Sequence, residues 1–147
     1  MTTSLLLCYD GSPHAASAIR DAAKLFPGAR ADVLAVVEIT VALVAAARYE
    51  PTLVPRIEDA ARSEGHQQAD EGVEIAREAG FDARPIGKPA TQPIWAEIVS
   101  VAEAGGYAVI VVGSRGRSGI AKAILGSVSS AVVSHSQLPV LVMPSRE

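Results

Sequence analysis

Short apolar runs, each separated from the next by a longer stretch with helical spacing, leave this chain few possible folds. A strand that faces water on one side alternates apolar and polar residues, whereas a strand covered on both faces is apolar almost throughout. The runs of this 147-residue chain are of the second kind and therefore predict strands of a parallel sheet. The predicted strands are Leu5–Tyr9, Val33–Val37, Ala83–Gly87, Tyr107–Val112 and Leu138–Met143.

Turn and cap residues divide the stretches between these runs. Ser12 followed by Pro13 is typical of a helix start, because serine caps the first turn and proline has a preset φ. Residues 39–55 are predicted to form a loop overall, since they hold Pro51 and Pro55, although Val41–Ala47 would suit a helical turn. Four helices are predicted. The first begins at Pro13, and the second covers residues 56–79 and is weakened by Gly65 and Gly72. The third runs from Pro93 to Gly105, and the fourth runs from Ser127 to Ser134.

The resulting order is five strands with four helices between them, which indicates an α/β fold. Right-handed crossovers place helices on both faces of a parallel sheet, as in doubly wound, Rossmann-like domains. The sequence thus predicts one domain over residues 1–147, with a five-stranded parallel sheet in the order 3-2-1-4-5. In such sheets a ligand binds outside the carboxyl ends of the strands where the order reverses, which is here between the first and fourth strands.

Composition argues against several classes of function. With 13 basic and 16 acidic residues and 4% aromatic residues, the chain lacks the basic, ring-bearing surface of a nucleic-acid binder. Its longest apolar stretches are far shorter than the roughly 20 residues of a membrane span, and it has a single cysteine, Cys8. We therefore expect a cytoplasmic protein that binds neither nucleic acid nor membrane.

Positive charge is concentrated near the C-terminus, where Arg115, Arg117 and Lys122 lie among glycines. Together with Gly126-Ser127, which opens the last predicted helix, they suit a small anion, because helix N-termini and glycine-rich backbone present N–H groups to phosphate. Asp10-Gly11 follows the first strand and Gly113–Gly116 follows the fourth, so both loops fall at the predicted ligand site. The spacing matches neither a Walker A loop nor a dinucleotide fingerprint.

The pattern Gly113-x2-Gly116-x9-Gly126-Ser127, with the C-terminal run Leu138–Val142, resembles the universal stress protein family, and more narrowly its ATP-binding subgroup. The resemblance implies a five-stranded α/β fold, adenine-nucleotide binding, cytoplasmic stress roles and dimerisation through the last strand. It implies that the nucleotide contacts Asp10, Val36 (or Val37, one position along the strand), Val112, Gly113, Arg115, Gly116, Gly126, Ser127, Val128 and Ser129.

Three functional hypotheses follow. The first is a nucleotide-dependent regulator in the stress response, which holds ATP with Mg²⁺ and acts on an unknown regulatory protein partner. The second is a slow ATPase or phosphotransferase, and the third is a nucleotide-free interaction module that dimerises through Leu138–Met143.

Other reactive side chains give little sign of a catalytic centre. The three histidines are scattered, so neither a metal site nor a catalytic triad is predicted. Cys8 is interpreted as an inert core thiol and Trp95 as a core or interface residue. Glu97 and Glu103 are interpreted as exposed helix positions.

Overall fold

The structure is a computed structural model that describes residues 3–115 and 125–144. Within these ranges the chain alternates strands and helices, with two helices in succession only after the second strand. The elements are β1 (Ser4–Cys8), α1 (Pro13–Leu25), β2 (Arg30–Val37), α2 (Val41–Tyr49), α3 (Leu53–Ala79), β3 (Asp82–Pro89), α4 (Ile94–Gly105), β4 (Val109–Gly113), α5 (Ser127–His135) and β5 (Val140–Met143).

The sheet confirms the predicted fold class and strand order. Its five strands are parallel and run β3-β2-β1-β4-β5, so β1 lies in the middle. Leu5 pairs with Ala31 of β2 on one side and with Val109 of β4 on the other. Because both faces of β1 are covered, Leu5, Leu6 and Leu7 are completely buried.

Helices cover the two faces of the sheet in separate layers. One face packs against α1 and α3 and includes Leu5, Leu7 and Val33. The other packs against α4 and α5 and includes Leu6 and Leu34. The alternation along each strand therefore sends successive side chains into two different cores.

The predicted start of the first helix is confirmed. The Ser12 hydroxyl accepts a hydrogen bond from the Ala15 N–H at 3.1 Å, and Pro13 is the first helical residue. Proline costs nothing there, because the first N–H groups of a helix have no partner within it. This cap sets where α1 leaves the end of β1.

The prediction of a loop over residues 39–55 is wrong. Thr40 caps α2 by accepting from the Leu43 N–H at 3.4 Å, and α2 continues to Tyr49. Pro51 occupies the break before α3, and Pro55 falls in the first turn of α3, where its missing N–H disrupts no helical bond. α2 buries none of its residues, and Tyr49 is 92% exposed.

Glycines predicted to weaken the long helix instead let it approach the sheet. α3 is continuous over 27 residues, and both Gly65 and Gly72 are buried. A Cβ added at Gly65 would lie 2.9 Å from the backbone nitrogen of Lys88 in β3, and a Cβ added at Gly72 would lie 2.6 Å from a methyl group of Val33. The missing side chains thus bring α3 into direct contact with β2 and β3.

The last strand begins two residues later than predicted. The Leu138 N–H donates to the Ser136 hydroxyl at 3.0 Å, so Leu138 belongs to a turn rather than to the sheet. Pro139 nevertheless accepts from the Ile110 N–H at 2.9 Å, which aligns β5 beside β4. In the part of the chain that the structure describes, no helix is both long and apolar enough to cross a bilayer.

Candidate functional site

A cavity of about 640 Å³ opens at the carboxyl edge of the sheet, where the strand order reverses. The ends of β1, β2 and β4 form its floor, and α3, α4 and the start of α5 contribute its walls. Its volume falls within the range of roughly 300–1,000 Å³ that is usual for small-molecule sites. The predicted ligand position therefore coincides with a real concavity.

Nearly all the residues predicted to bind a ligand line this one cavity. Gly116 lies outside the described residues, so the structure says nothing of its position. The predicted residues that line the cavity are Asp10, Val36, Val112, Gly113, Arg115, Gly126, Ser127, Val128 and Ser129. Val37, the alternative to Val36, lines it as well.

One part of the cavity is apolar. Val36 packs against the core on the α4 and α5 side of the sheet, together with Cys8 and Leu34. Ile94 and Ile98 of α4 add two further aliphatic side chains to the cavity lining. An apolar slot of this kind suits a flat, weakly polar group such as a heterocyclic base.

The N-terminus of α5 forms the opposite part of the cavity. Gly126, Ser127 and Val128 line it, and within the described residues no side chain caps this helix end. The Gly126 N–H donates to the Ser114 carbonyl oxygen at 2.9 Å, which ties the helix start to the end of β4. The uncapped N–H groups, the helix dipole and Arg115 together suit an anionic group.

The Ser129 hydroxyl makes a hydrogen bond within the protein at the edge of the cavity. Its Oγ donates to the Gly113 carbonyl oxygen at 2.5 Å, and the residue is buried. A hydroxyl has one proton to donate. In this conformation the Ser129 hydroxyl therefore fastens α5 to β4.

Asp10 lies in a tight turn between β1 and α1. Its carboxylate accepts from the Ser12 N–H at 2.9 Å, and Gly11 follows with φ of 82°. Gln68 of α3 donates from Nε2 to the Asp10 carbonyl oxygen at 3.3 Å. Asp10 is thus both the predicted ligand-binding carboxylate and part of the local structure that starts α1.

Sequence reasoning missed polar residues that line the cavity from the segment after β2 and from α3. They are Glu38, Thr40, Glu64 and Gln68. The spacing of Glu64 and Gln68 indicates that they share a helix face. Nothing in the sequence shows that this face meets the end of β1, because that contact depends on how α3 packs on the sheet.

Comparison with known proteins gives the family. A family model described as the universal stress protein family matches residues 1–144. The chain belongs to that family. Universal stress protein YxiE of Bacillus subtilis (strain 168) is 32% identical over 152 residues, which cover 97% of this chain and 99% of that protein.

Solved universal stress proteins share the fold. One, in complex with cAMP, is 22% identical with a TM-score of 0.63, covering 99% of this chain and 98% of the other. Another, from Archaeoglobus fulgidus in complex with dAMP, is 17% identical with a TM-score of 0.60, covering 97% of both chains. At these identities the likeness establishes a common architecture.

Glu97 of this universal stress protein is not the exposed residue that the sequence predicts. Its side chain is only 1% exposed and lies 2.5 Å from the Lys88 ammonium of β3, with the Thr91 hydroxyl donating to its other oxygen at 3.2 Å. Burial alone raises the pKa of Glu97, but hydrogen bonding and the charge of Lys88, aided by Thr91 and Gln92, bring it below its ordinary value. The ion pair thereby fastens the start of α4, which carries Ile94 and Ile98 of the cavity wall.

The predicted inertness of the Cys8 thiol has a physical basis. Burial, with the negative charge of Asp10 beside it, raises the pKa of Cys8 from 9.0 to about 12. Only the thiolate reacts, so little reactive form exists near neutral pH. The thiol nevertheless lines the cavity of this universal stress protein.

We expect iodoacetamide at pH 8 to alkylate Cys8 in the folded chain roughly 30- to 100-fold more slowly than in the urea-unfolded chain. The scarcity of thiolate is partly offset by the higher nucleophilicity of a more basic sulfur. Mass spectrometry of timed samples measures both rates on the one cysteine of the chain. Equal rates in the two states would show that the thiol is not held in this environment.

Proposed function

We propose that this universal stress protein binds an adenine nucleotide, ATP with Mg²⁺, in the cavity at the carboxyl edge of the sheet. The observation that carries the proposal is the pairing of an apolar slot with a helix N-terminus that no described side chain caps, in one cavity of about 640 Å³. A nucleotide has the same division, with an apolar base at one end and anionic phosphates at the other.

The proposal assigns each end of the ligand to one part of the cavity. The base lies in the slot formed with Val36, and the ribose lies near Asp10. The phosphates lie against the backbone of Gly126 and Ser127, where helix N–H groups and Arg115 offset their charge.

Two further observations support an adenine nucleotide over other anions. Solved universal stress proteins of the same fold are complexes with cAMP and with dAMP, which share adenine and a phosphate. The slot has the aliphatic walls that a purine ring contacts favourably. Adenine and a phosphate are thus the parts that these two ligands have in common.

Magnesium fits the proposal as a partner of the phosphates. Mg²⁺ in nucleotide sites is usually held by one or two carboxylates together with phosphate oxygens and water. Among the described residues, no three His, Cys, Asp or Glu side chains come together as a ready-made metal site. The ion would therefore arrive with the nucleotide, with Asp10 available as a carboxylate ligand at the cavity.

We further propose that the nucleotide regulates the interaction of this protein with a partner in the cytoplasm. A regulator needs a ligand-dependent difference between two states, rather than turnover. Comparing the proteins that bind the nucleotide-loaded and nucleotide-free forms identifies this partner.

The direct test is to denature freshly purified protein and identify any released nucleotide, and then to titrate the stripped protein by calorimetry. ATP with and without Mg²⁺, AMP, cAMP and dAMP vary the phosphate and sugar while they keep adenine, and GTP varies the base. The proposal expects adenine nucleotides to bind and GTP to bind more weakly. No released nucleotide and no titratable adenine nucleotide would overturn it.

Gly126→Ala is expected to weaken ATP binding roughly 30- to 150-fold, because a methyl group beside the N–H groups of α5 removes phosphate contacts worth about 2–3 kcal/mol. The backbone at Gly126, with φ of −59° and ψ of 157°, accommodates alanine. Calorimetric titration measures the change in affinity. Gly28→Ala makes the same substitution outside the cavity and should bind ATP like the wild type; equal affinity of the two variants would contradict the assignment of the phosphates.

We also propose that the protein forms a homodimer through β5, the edge strand next to β4. The carbonyl oxygens of Pro139 and Met143 accept from Ile110 of β4 and from Ser114 just after it, so Val140 and Val142 direct their backbone groups away from the sheet. Val142→Pro should remove an outward N–H and yield monomers in sedimentation velocity, whereas Val142→Ala should remain dimeric. A monomeric wild type at micromolar concentration would refute the dimer.

A further inference from the structure

A long-range hydrogen bond joins α3 to the turn that carries Asp10. Gln68 Nε2 donates to the Asp10 carbonyl oxygen at 3.3 Å, although 58 positions separate the two residues. Gln68 is partly buried and lines the same cavity as Asp10. The bond therefore connects one wall of the cavity to its floor.

The peptide group that accepts this bond lies where the backbone of the turn rotates most easily. Gly11, the next residue, has φ of 82°, a left-handed conformation. Glycine adopts positive and negative φ with similar ease, so the peptide between Asp10 and Gly11 can rotate at little cost. A donor on its carbonyl oxygen selects one of the two orientations.

The neighbours on either side of this peptide are already fixed. The Tyr9 N–H donates to the Leu34 carbonyl oxygen at 2.9 Å, which continues the sheet up to the turn. Ser12 caps α1 and donates its N–H to the Asp10 carboxylate at 2.9 Å. This peptide separates the two residues of that second bond, so a donor that fixes its orientation restrains the turn and, with it, the direction of the Asp10 carboxylate.

We propose that Gln68 is a positioning residue, which holds the Asp10–Gly11 peptide so that the Asp10 carboxylate is presented to the sugar of the bound nucleotide. The proposal rests on the nucleotide-binding function proposed above. It assigns to α3 a part in ligand affinity that is separate from any contact between Gln68 and the ligand itself.

Gln68→Met tests this inference, because methionine keeps the length and the apolar stem of the side chain while it removes the donor. We expect ATP affinity to fall about 3- to 10-fold, the effect of one lost hydrogen bond. Gln67→Met is the matched control, since Gln67 is exposed, adjacent on α3 and not part of the cavity lining. It should bind ATP like the wild type.

A double-variant cycle separates positioning from direct contact. Asp10→Ala removes the carboxylate that Gln68 is proposed to position, and in that background Gln68→Met should have no further effect on affinity. Equal losses in both backgrounds would mean that Gln68 contacts the ligand itself, and this result would overturn the inference. So would an unchanged affinity of Gln68→Met in a protein that binds ATP.

Amide hydrogen exchange at Ser12, followed by NMR without nucleotide, tests the same inference independently of binding. Gln68→Met should accelerate exchange at Ser12 about 3- to 10-fold, and Gln67→Met should leave it unchanged. Unaltered exchange in Gln68→Met would overturn positioning. If the wild type binds no adenine nucleotide, the proposed function fails, and this exchange rate alone decides whether Gln68 orients the turn.

Discussion

Gly87→Ala is expected to destabilise the folded chain by about 3 kcal/mol, near the upper end of the cost of overfilling a packed core. A Cβ at this position of β3 would overlap the His66 nitrogen and the Gly65 carbonyl carbon of α3. These are backbone atoms, so the overlap can be removed only by moving the helix and not by rotating a side chain. Equilibrium unfolding in urea, followed by circular dichroism, measures the change in free energy.

Gly28→Ala is the control for this substitution. A Cβ at Gly28 meets no atom within 4 Å, and only its φ of 73° opposes alanine. It should cost about 1 kcal/mol from backbone strain. The loss of stability in Gly65→Ala should lie between those of the other two variants, because overlap with the backbone nitrogen of Lys88 is partly offset by the better helix propensity of alanine. Equal costs for Gly87→Ala and Gly28→Ala would show that α3 does not rest directly on β3.

Lys88→Met is expected to destabilise the chain by about 3 kcal/mol at pH 7, because it leaves the carboxylate of Glu97 buried without its cation. The lysine end of the pair is about one third exposed, so the lower part of the usual range for a broken buried pair applies. Urea unfolding measures the loss. Lys24→Met removes a mainly exposed lysine from a surface pair with Asp21 and should cost less than about 1 kcal/mol.

Lowering the pH should reduce the difference in the free energy of unfolding between Lys88→Met and the wild type. Since Lys88 holds the pKa of Glu97 below its ordinary value of 4.5, the stabilisation is complete above pH 4.5 and is lost as the pH falls through the lower pKa of the folded state. In Lys88→Met, burial raises that pKa instead, so acid should narrow the gap between variant and wild type. The double variant Lys88→Met/Glu97→Gln should recover most of the stability at pH 7. A gap independent of pH would exclude the buried carboxylate as its cause.

The sheet and the position of the cavity could be predicted from the sequence because they depend on local patterns. A run such as Leu5–Tyr9 has few alternatives to a strand covered on both faces. Strand order then follows from the handedness of crossovers, and the order places the ends of β1 and β4 side by side. Asp10 and Gly113 could therefore be assigned to one cavity without any knowledge of side-chain contacts.

The errors concern effects that depend on distant partners. Pro51 and Pro55 suggest a loop when read alone, but one falls between two helices and the other in a first turn. Gly65 weakens a helix in isolation, yet here it permits contact with β3. Glu97 resembles an exposed helical glutamate until β3 brings Lys88 against it, and that pairing is invisible without the packing of α4 on the sheet.

The central place of β1 also has a consequence for synthesis on the ribosome. Leu5 leaves the ribosome about 100 residues before Val109, its partner in β4. At roughly 5–20 residues per second, the apolar edge of β1 waits about 5–20 s for that partner, although β2 becomes available much earlier. During this interval β1, β2 and β3 of the nascent chain can assemble while the edge of β1 that later pairs with β4 is still exposed. A chaperone that covers exposed apolar surface would therefore act mainly in this interval.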